Sequence, residues 1–121
     1  MFELKILTHF AAAHQLRMVA KQCESLHGHN WKVEVCVAGE DLNDAGVLID
    51  FGELKSYVSE IIQELDHKFL NELPYFDGAP SSEKIAVHIA EHLEKKIKPQ
   101  NLRVTRITTW ESDNAAATYI P

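Results

Sequence analysis

Two histidines flank a single glycine in this chain, His27-Gly28-His29, and they are the residues best suited to chemistry among the seven histidines of its 121 residues. In extended chain, positions i and i+2 project to the same side, so both imidazoles face one ligand. Gly28 between them carries no side chain and leaves the backbone open to close approach. A neighbouring strand would supply a third nitrogen, from His14 at the end of Phe10-Ala11-Ala12-Ala13-His14 or from His9. His9 and His14 have opposite parity, so only one of them faces the pair. Three histidines without a fourth protein ligand form the donor set of a catalytic zinc, which keeps one position for substrate or water. A structural zinc would want four closed ligands, often thiolates, and this chain has only Cys23 and Cys36, with no C-x-x-C pair.

Other residue types add proton-transfer capacity. Cys23 stands four residues ahead of His27, and a thiol near a divalent cation or a histidine ionises more readily, which makes it a base or nucleophile. Asp66 adjoins His67 at the end of a helical pattern, where a carboxylate orients an imidazole and tunes it. Glu111 follows Trp110 near a strand end, where its carboxylate could accept paired N–H bonds from a guanidine-like ring edge. By itself Glu111 reads as a surface residue. His88 and His92 have the i, i+4 spacing of a metal pair but flank an apolar helical stripe, where half-buried histidines are common.

The elements that must carry these residues follow from apolar periodicity. Residues 2–13 read as a strand with Phe2, Leu4, Ile6 and Phe10 on one parity, and residues 30–38 as another. There Trp31, Val33, Val35 and Val37 share a face, with Lys32, Glu34 and Cys36 opposite. Cys36 is expected to line a sheet face and to be inert. Asp50 is the expected N-cap of a helix with apolar positions Phe51, Leu54, Val58, Ile61, Ile62 and Leu65. A polar loop is expected from Asp66 to Ala79. Ser81 or Ser82 caps a second helix with the stripe Ile85, Ala86, Ile89, Leu93 and Ile97, and Pro99 ends it. Residues 102–111 and 115–120 form closing strands around Ser112-Asp113-Asn114. The order strand, strand, helix, helix, strand, strand implies an α+β fold: an antiparallel four-stranded sheet with both helices on one face. So small a sheet leaves edges that invite pairing unless an oligomer closes them.

Size and composition set the outer limits. At 121 residues and 45% hydrophobic, residues 1–121 make one compact domain. The net charge of −6 argues against a nucleic-acid binder. No apolar run reaches the eighteen or so residues of a membrane span, and Met1-Phe2-Glu3 does not begin a signal peptide. Two cysteines make no disulfide framework, which suits a reducing cytoplasm.

Taken in order, the motifs resemble the 6-pyruvoyl-tetrahydropterin synthase family, and within it the bacterial 6-carboxy-tetrahydropterin synthases of queuosine biosynthesis. The resemblance runs through F-x-A-A-H at Phe10–His14, C-x-x-x-H-G-H at Cys23–His29 and I-D-F-x-E-L-K at Ile49–Lys55. It continues with L-D-H-x-x-L-N at Leu65–Asn71, P-[ST]-x-E at Pro80–Glu83 and the strand-end Glu111. It implies the tunnelling fold, in which three protomers form a barrel and two trimers stack into a homohexamer with sites between subunits. By resemblance His14, His27 and His29 hold zinc, Cys23, Asp66 and His67 form the proton-transfer set, and Glu111 anchors the pterin ring. The implied substrate is 7,8-dihydroneopterin triphosphate, converted to 6-carboxy-5,6,7,8-tetrahydropterin, acetaldehyde and triphosphate without a redox cofactor.

Two departures stand out. Glu24 lies three residues ahead of His27, beside Cys23. Similar family members carry a glutamate at that offset in place of the cysteine and make 6-hydroxymethyl-dihydropterin for folate, and here both residues are present. Ser81 stands where the family often has threonine, which preserves the hydroxyl. Arg17 and Lys21 are the nearby bases that could attract the triphosphate. The other class of reading is a pterin-binding oligomeric scaffold without turnover, for which Cys23, Asp66 and His67 would have no purpose.

Overall fold

Side-chain alternation in the two longest strands organises the whole molecule, as a computed structural model shows for residues 1–16 and 26–121. Strand β1, Phe2–His14, and strand β2, His27–Gly39, pair antiparallel in unbroken register from Phe2↔Gly39 to His14↔His27. Trp31, Val33, Val35 and Val37 are all fully buried on one face of β2. Directly opposite them, Ile6 and Phe10 of β1 are buried on the same face. Phe2, expected on that face, is half exposed at the strand's outer end.

Helix α1, Phe51–Gln63, starts where the Asp50 carboxylate accepts the Glu53 N–H at 3.2 Å, satisfying a donor that the first turn would otherwise leave open. It buries Leu54, Val58, Ile61 and Ile62, whereas Phe51, on the first turn, stays 53% exposed. Helix α2, Ser82–Ile97, is capped by Ser81, whose hydroxyl accepts the Lys84 N–H, and buries Ile85, Ala86, Ile89, Leu93 and Ile97. Both helices join β1 and β2 in one continuous apolar core. Pro99 falls in a short 3-10 turn, Lys98–Gln100, that ends α2. None of the described helices is long and apolar enough to cross a membrane.

Strand β3, Lys68–Phe69, follows α1, and strands β4, Arg103–Ser112, and β5, Ala115–Tyr119, close the chain. The sheet order is β3-β1-β2-β4-β5. This corrects the expected four-stranded antiparallel sheet: the described residues form a mixed sheet of five strands, because β3 adds to β1 in parallel, pairing Ala12↔Lys68 and Ala13↔Phe69. The expected loop after Asp66 thus contains a strand and two 3-10 turns, Leu70–Glu72 and Pro74–Phe76. Its Leu70 and Phe76 are buried in the common core. Cys36 is buried, and its burial pushes the thiol pKa up, as expected of an inert cysteine.

Candidate metal centre

At one end of the buried sheet face the apolar alternation gives way to histidine. His14 continues the inward parity of Ile6 and Phe10, and His29 that of Trp31 and Val33. Glu111 continues that of Ile107 and Thr109 in β4, both fully buried. Pairing of β4 with β5 shifts register between Trp110 and Ser112, so Glu111 is the extra residue of a bulge. Bulges re-aim side chains at strand ends.

The three side chains converge. One Glu111 oxygen, Oε1, lies 2.8 Å from His29 Nε2 and 3.3 Å from His14 Nε2, and the ligand-capable atoms all lie within 4.8 Å of one another. Fully buried Trp31 orients both rings from below. His14 and His29 meet it edge-on at centroid distances of 5.1 and 5.4 Å, and Phe10 stacks on its far side at 5.9 Å. The Trp31 indole N–H donates to the Ala12 carbonyl at 3.4 Å.

The far nitrogen of His14 is anchored as well. Nδ1 lies 2.9 Å from the Pro80 carbonyl. A carbonyl only accepts, so Nδ1 carries a proton there, and Nε2 is the ring atom left facing the Glu111 oxygen. A ring nitrogen held by a backbone carbonyl on its other side is the usual outer-shell arrangement of a metal-binding imidazole. Two imidazoles with a carboxylate beside them are a donor set that can hold a divalent cation.

Of the expected site residues, His14, His29 and Glu111 are thus brought together. Cys23 and Glu24 lie outside the described residues, as do Arg17 and Lys21. The side chain of His27 lies outside them as well, although the strand register sets its backbone directly opposite His14. His9 lies on the parity opposite to His14, on the sheet face away from the helices.

Asp66 and His67 occupy the edge of β1. Asp66 uses both oxygens: Oδ1 accepts the Ala11 N–H at 2.9 Å, and Oδ2 lies 3.1 Å from His67 Nδ1. The Ala11 amide, and then the His67 charge, hold this carboxyl below its usual pKa, so it remains an anion that can orient the ring. His67 has a left-handed backbone, φ 59°, and donates its own N–H to the Ala11 carbonyl at 2.6 Å. Its side chain is 82% exposed. It borders an open pocket of about 510 Å³ together with Ala11, Ala13, Gly28, His29 and Asn30. Among the described residues nothing lies within 4 Å of where a Cβ on Gly28 would stand.

Glu111 as a possible metal partner was missed by sequence reasoning. Its parity with Ile107 and Thr109 was the available signal. The remaining pair behaves as a structural one: His88 is 5% exposed, and His92 Nδ1 bonds the His88 carbonyl at 2.8 Å.

The pattern for 6-pyruvoyl tetrahydropterin synthase matches residues 3–121. The chain belongs to the 6-pyruvoyl tetrahydropterin synthase family. It is 36% identical over 104 residues to the dihydroneopterin monophosphate aldolase of Pyrococcus furiosus, covering 86% of this chain and 84% of that protein. It is 34% identical over 99 residues to the 6-carboxy-5,6,7,8-tetrahydropterin synthase of Bacillus subtilis, covering 77% of this chain and 66% of that one. The 6-pyruvoyl tetrahydropterin synthase structure from Caenorhabditis elegans superposes with a TM-score of 0.84 at 23% identity, covering 99% of this chain and 95% of that one. The last likeness speaks to the fold, which in this family is α+β with two helices against a mixed sheet.

Proposed function

We propose that this chain is a zinc-dependent carbon–carbon lyase of queuosine biosynthesis in the cytoplasm. It converts 7,8-dihydroneopterin triphosphate to 6-carboxy-5,6,7,8-tetrahydropterin with release of acetaldehyde and triphosphate. The observation that carries the proposal is the convergence of His14 Nε2, His29 Nε2 and Glu111 above Trp31, with His14 Nδ1 anchored on Pro80. His14 and His29 hold the zinc, and His27, opposite His14 in the strand register, is the third ligand. Bound zinc supplies Lewis acidity that polarises a substrate oxygen and acidifies the neighbouring C–H bond.

The chain's own groups do the rest. Cys23 takes the proton as a thiolate, and His67, held by Asp66, moves a second one. Glu111 accepts paired N–H bonds from the pterin ring edge. The solvent exposure of His67 supports a site completed by a neighbouring copy, in which Asp66 and His67 of one protomer serve the metal of another. That arrangement accords with a homohexamer built as two stacked trimeric barrels.

A second reading has its own support. A relative named dihydroneopterin monophosphate aldolase is 36% identical, and Glu24 sits beside Cys23. In that reading Glu24 is the base, and the product is 6-hydroxymethyl-7,8-dihydropterin, made instead of or in addition to the carboxy-pterin. A scaffold without turnover has less support, since Asp66 spends its second oxygen on orienting an exposed imidazole.

Metal removal tests the proposal. The purified protein should hold close to one zinc per chain, and chelation should stop consumption of dihydroneopterin triphosphate until zinc is returned. Undiminished consumption by metal-free protein would refute it.

A further inference from the structure

The free edge of β1 beside the metal centre is finished by side chains. Odd-numbered residues 11, 13 and 15 turn their backbone groups toward this edge. At Ala11 the partners are the Asp66 carboxylate and the His67 N–H. At Ala13 the two-residue strand β3 takes over. At Gln15 the chain has already curled into the Leu70–Glu72 turn, and the Asn71 side chain stands in for a strand. Its Oδ1 accepts the Gln15 N–H at 2.8 Å, and its Nδ2 donates to the Gln15 carbonyl at 2.7 Å. One primary amide thus reproduces both bonds of a ladder rung, its oxygen as the acceptor and its NH2 as the donor.

Gln15 directly follows His14. Side chains alternate with a period of two, so a strand that loses its last rung can twist and carry His14 away from its inward direction. The opposite end of the same imidazole is tied to Pro80, which closes the segment that Asn71 belongs to. Residues 66–80 therefore hold His14 twice, once through its ring and once through the backbone beyond it.

We infer that Asn71 is a positioning residue for the metal centre. It clamps the backbone after His14 and keeps Nε2 aimed at His29 and Glu111. This rests on the reading of His14 as a metal ligand. The account extends the family motif at Leu65–Asn71: Asp66 and Asn71 are the two ends of one artificial strand.

Zinc affinity by chelator competition tests it, together with hydrogen exchange of the Gln15 amide. Asn71→Ala should weaken zinc binding tenfold or more and speed Gln15 exchange. Asn43→Ala removes another backbone-bonding asparagine, which accepts from Ala45 and Val47 in a remote loop. It should leave zinc affinity unchanged. If Asn71→Ala does not fold, Asn71→Ser, which retains a short polar group, carries the same expectation. Wild-type zinc affinity in a folded Asn71 variant would overturn the clamp while leaving the metal centre standing. Wild-type protein that binds no zinc would overturn both.

Discussion

Replacing His88 by phenylalanine should remove a defined share of this protein's acid sensitivity. His88 lies in the core side of α2, stacked on Tyr75 at 4.1 Å and 23°, with Phe76 and His92 against its remaining surface. Its Nε2 is buried and has no hydrogen-bond partner among the described residues. The Glu64 carboxylate, 3.9 Å away and half exposed, is too distant for a hydrogen bond and too well solvated to offset burial. Desolvation, and then the nearby His92, push the His88 pKa down to about 4. The unfolded chain, with an ordinary histidine, therefore binds more protons than the native state between about pH 6.5 and 4. The stability is fully present above the unfolded pKa and is lost as pH falls through that window. With those two values the loss from pH 7 to pH 5 is about 2 kcal/mol. Urea unfolding at both pH values, at fixed zinc, should give a wild-type decrease larger than that of His88→Phe by about this amount. Contributions of the metal centre are common to both proteins and cancel. Equal decreases in the two proteins would refute the buried, neutral imidazole.

Four further substitutions have defined outcomes. Cys23→Ala should keep its zinc and lose about 10² to 10⁴ in turnover, the range for a positioned acid or base, whereas Glu24→Gln should abolish any 6-hydroxymethyl-dihydropterin while sparing acetaldehyde release. Glu111→Gln should retain zinc by metal analysis but lower kcat/KM at least a hundredfold, because the amide loses the charge and sets an NH2 donor against one of the two N–H groups of the pterin edge; lost zinc would make Glu111 a ligand instead. Asp50→Ala should cost about 1 kcal/mol in urea unfolding through the missing cap of α1, with activity unchanged.

Period-two alternation from Trp31 to Val37, and its counterpart at Ile6 and Phe10 in β1, were legible because these inward residues are buried in the core. The helices were legible from their stripes and from Asp50 and Ser81, whose caps are local chemistry. Residues at the margins were less so. Phe2 and Phe51 match the apolar pattern, but each lies at the very start of its element, where the core no longer covers it. Strand β3 carries no period at two residues, and its rungs are extended by Asp66 and Asn71, whose pairing with Ala11 and Gln15 spans 55 and 56 positions of sequence. His29 could be read as a candidate ligand from the His27-Gly28-His29 spacing, and the side chain of His27 lies outside the described residues. The parity of Glu111 with Ile107 and Thr109 was legible, but the bulge opposite β5 was not, nor was the carbonyl 66 residues away that meets His14 Nδ1.

Product identity tests the central claim most directly. Zinc-loaded protein would be incubated with 7,8-dihydroneopterin triphosphate and the pterin product identified by mass. The account predicts 6-carboxy-5,6,7,8-tetrahydropterin with one acetaldehyde released per turnover. A 6-pyruvoyl or 6-hydroxymethyl pterin as the sole product, or intact substrate, would contradict it.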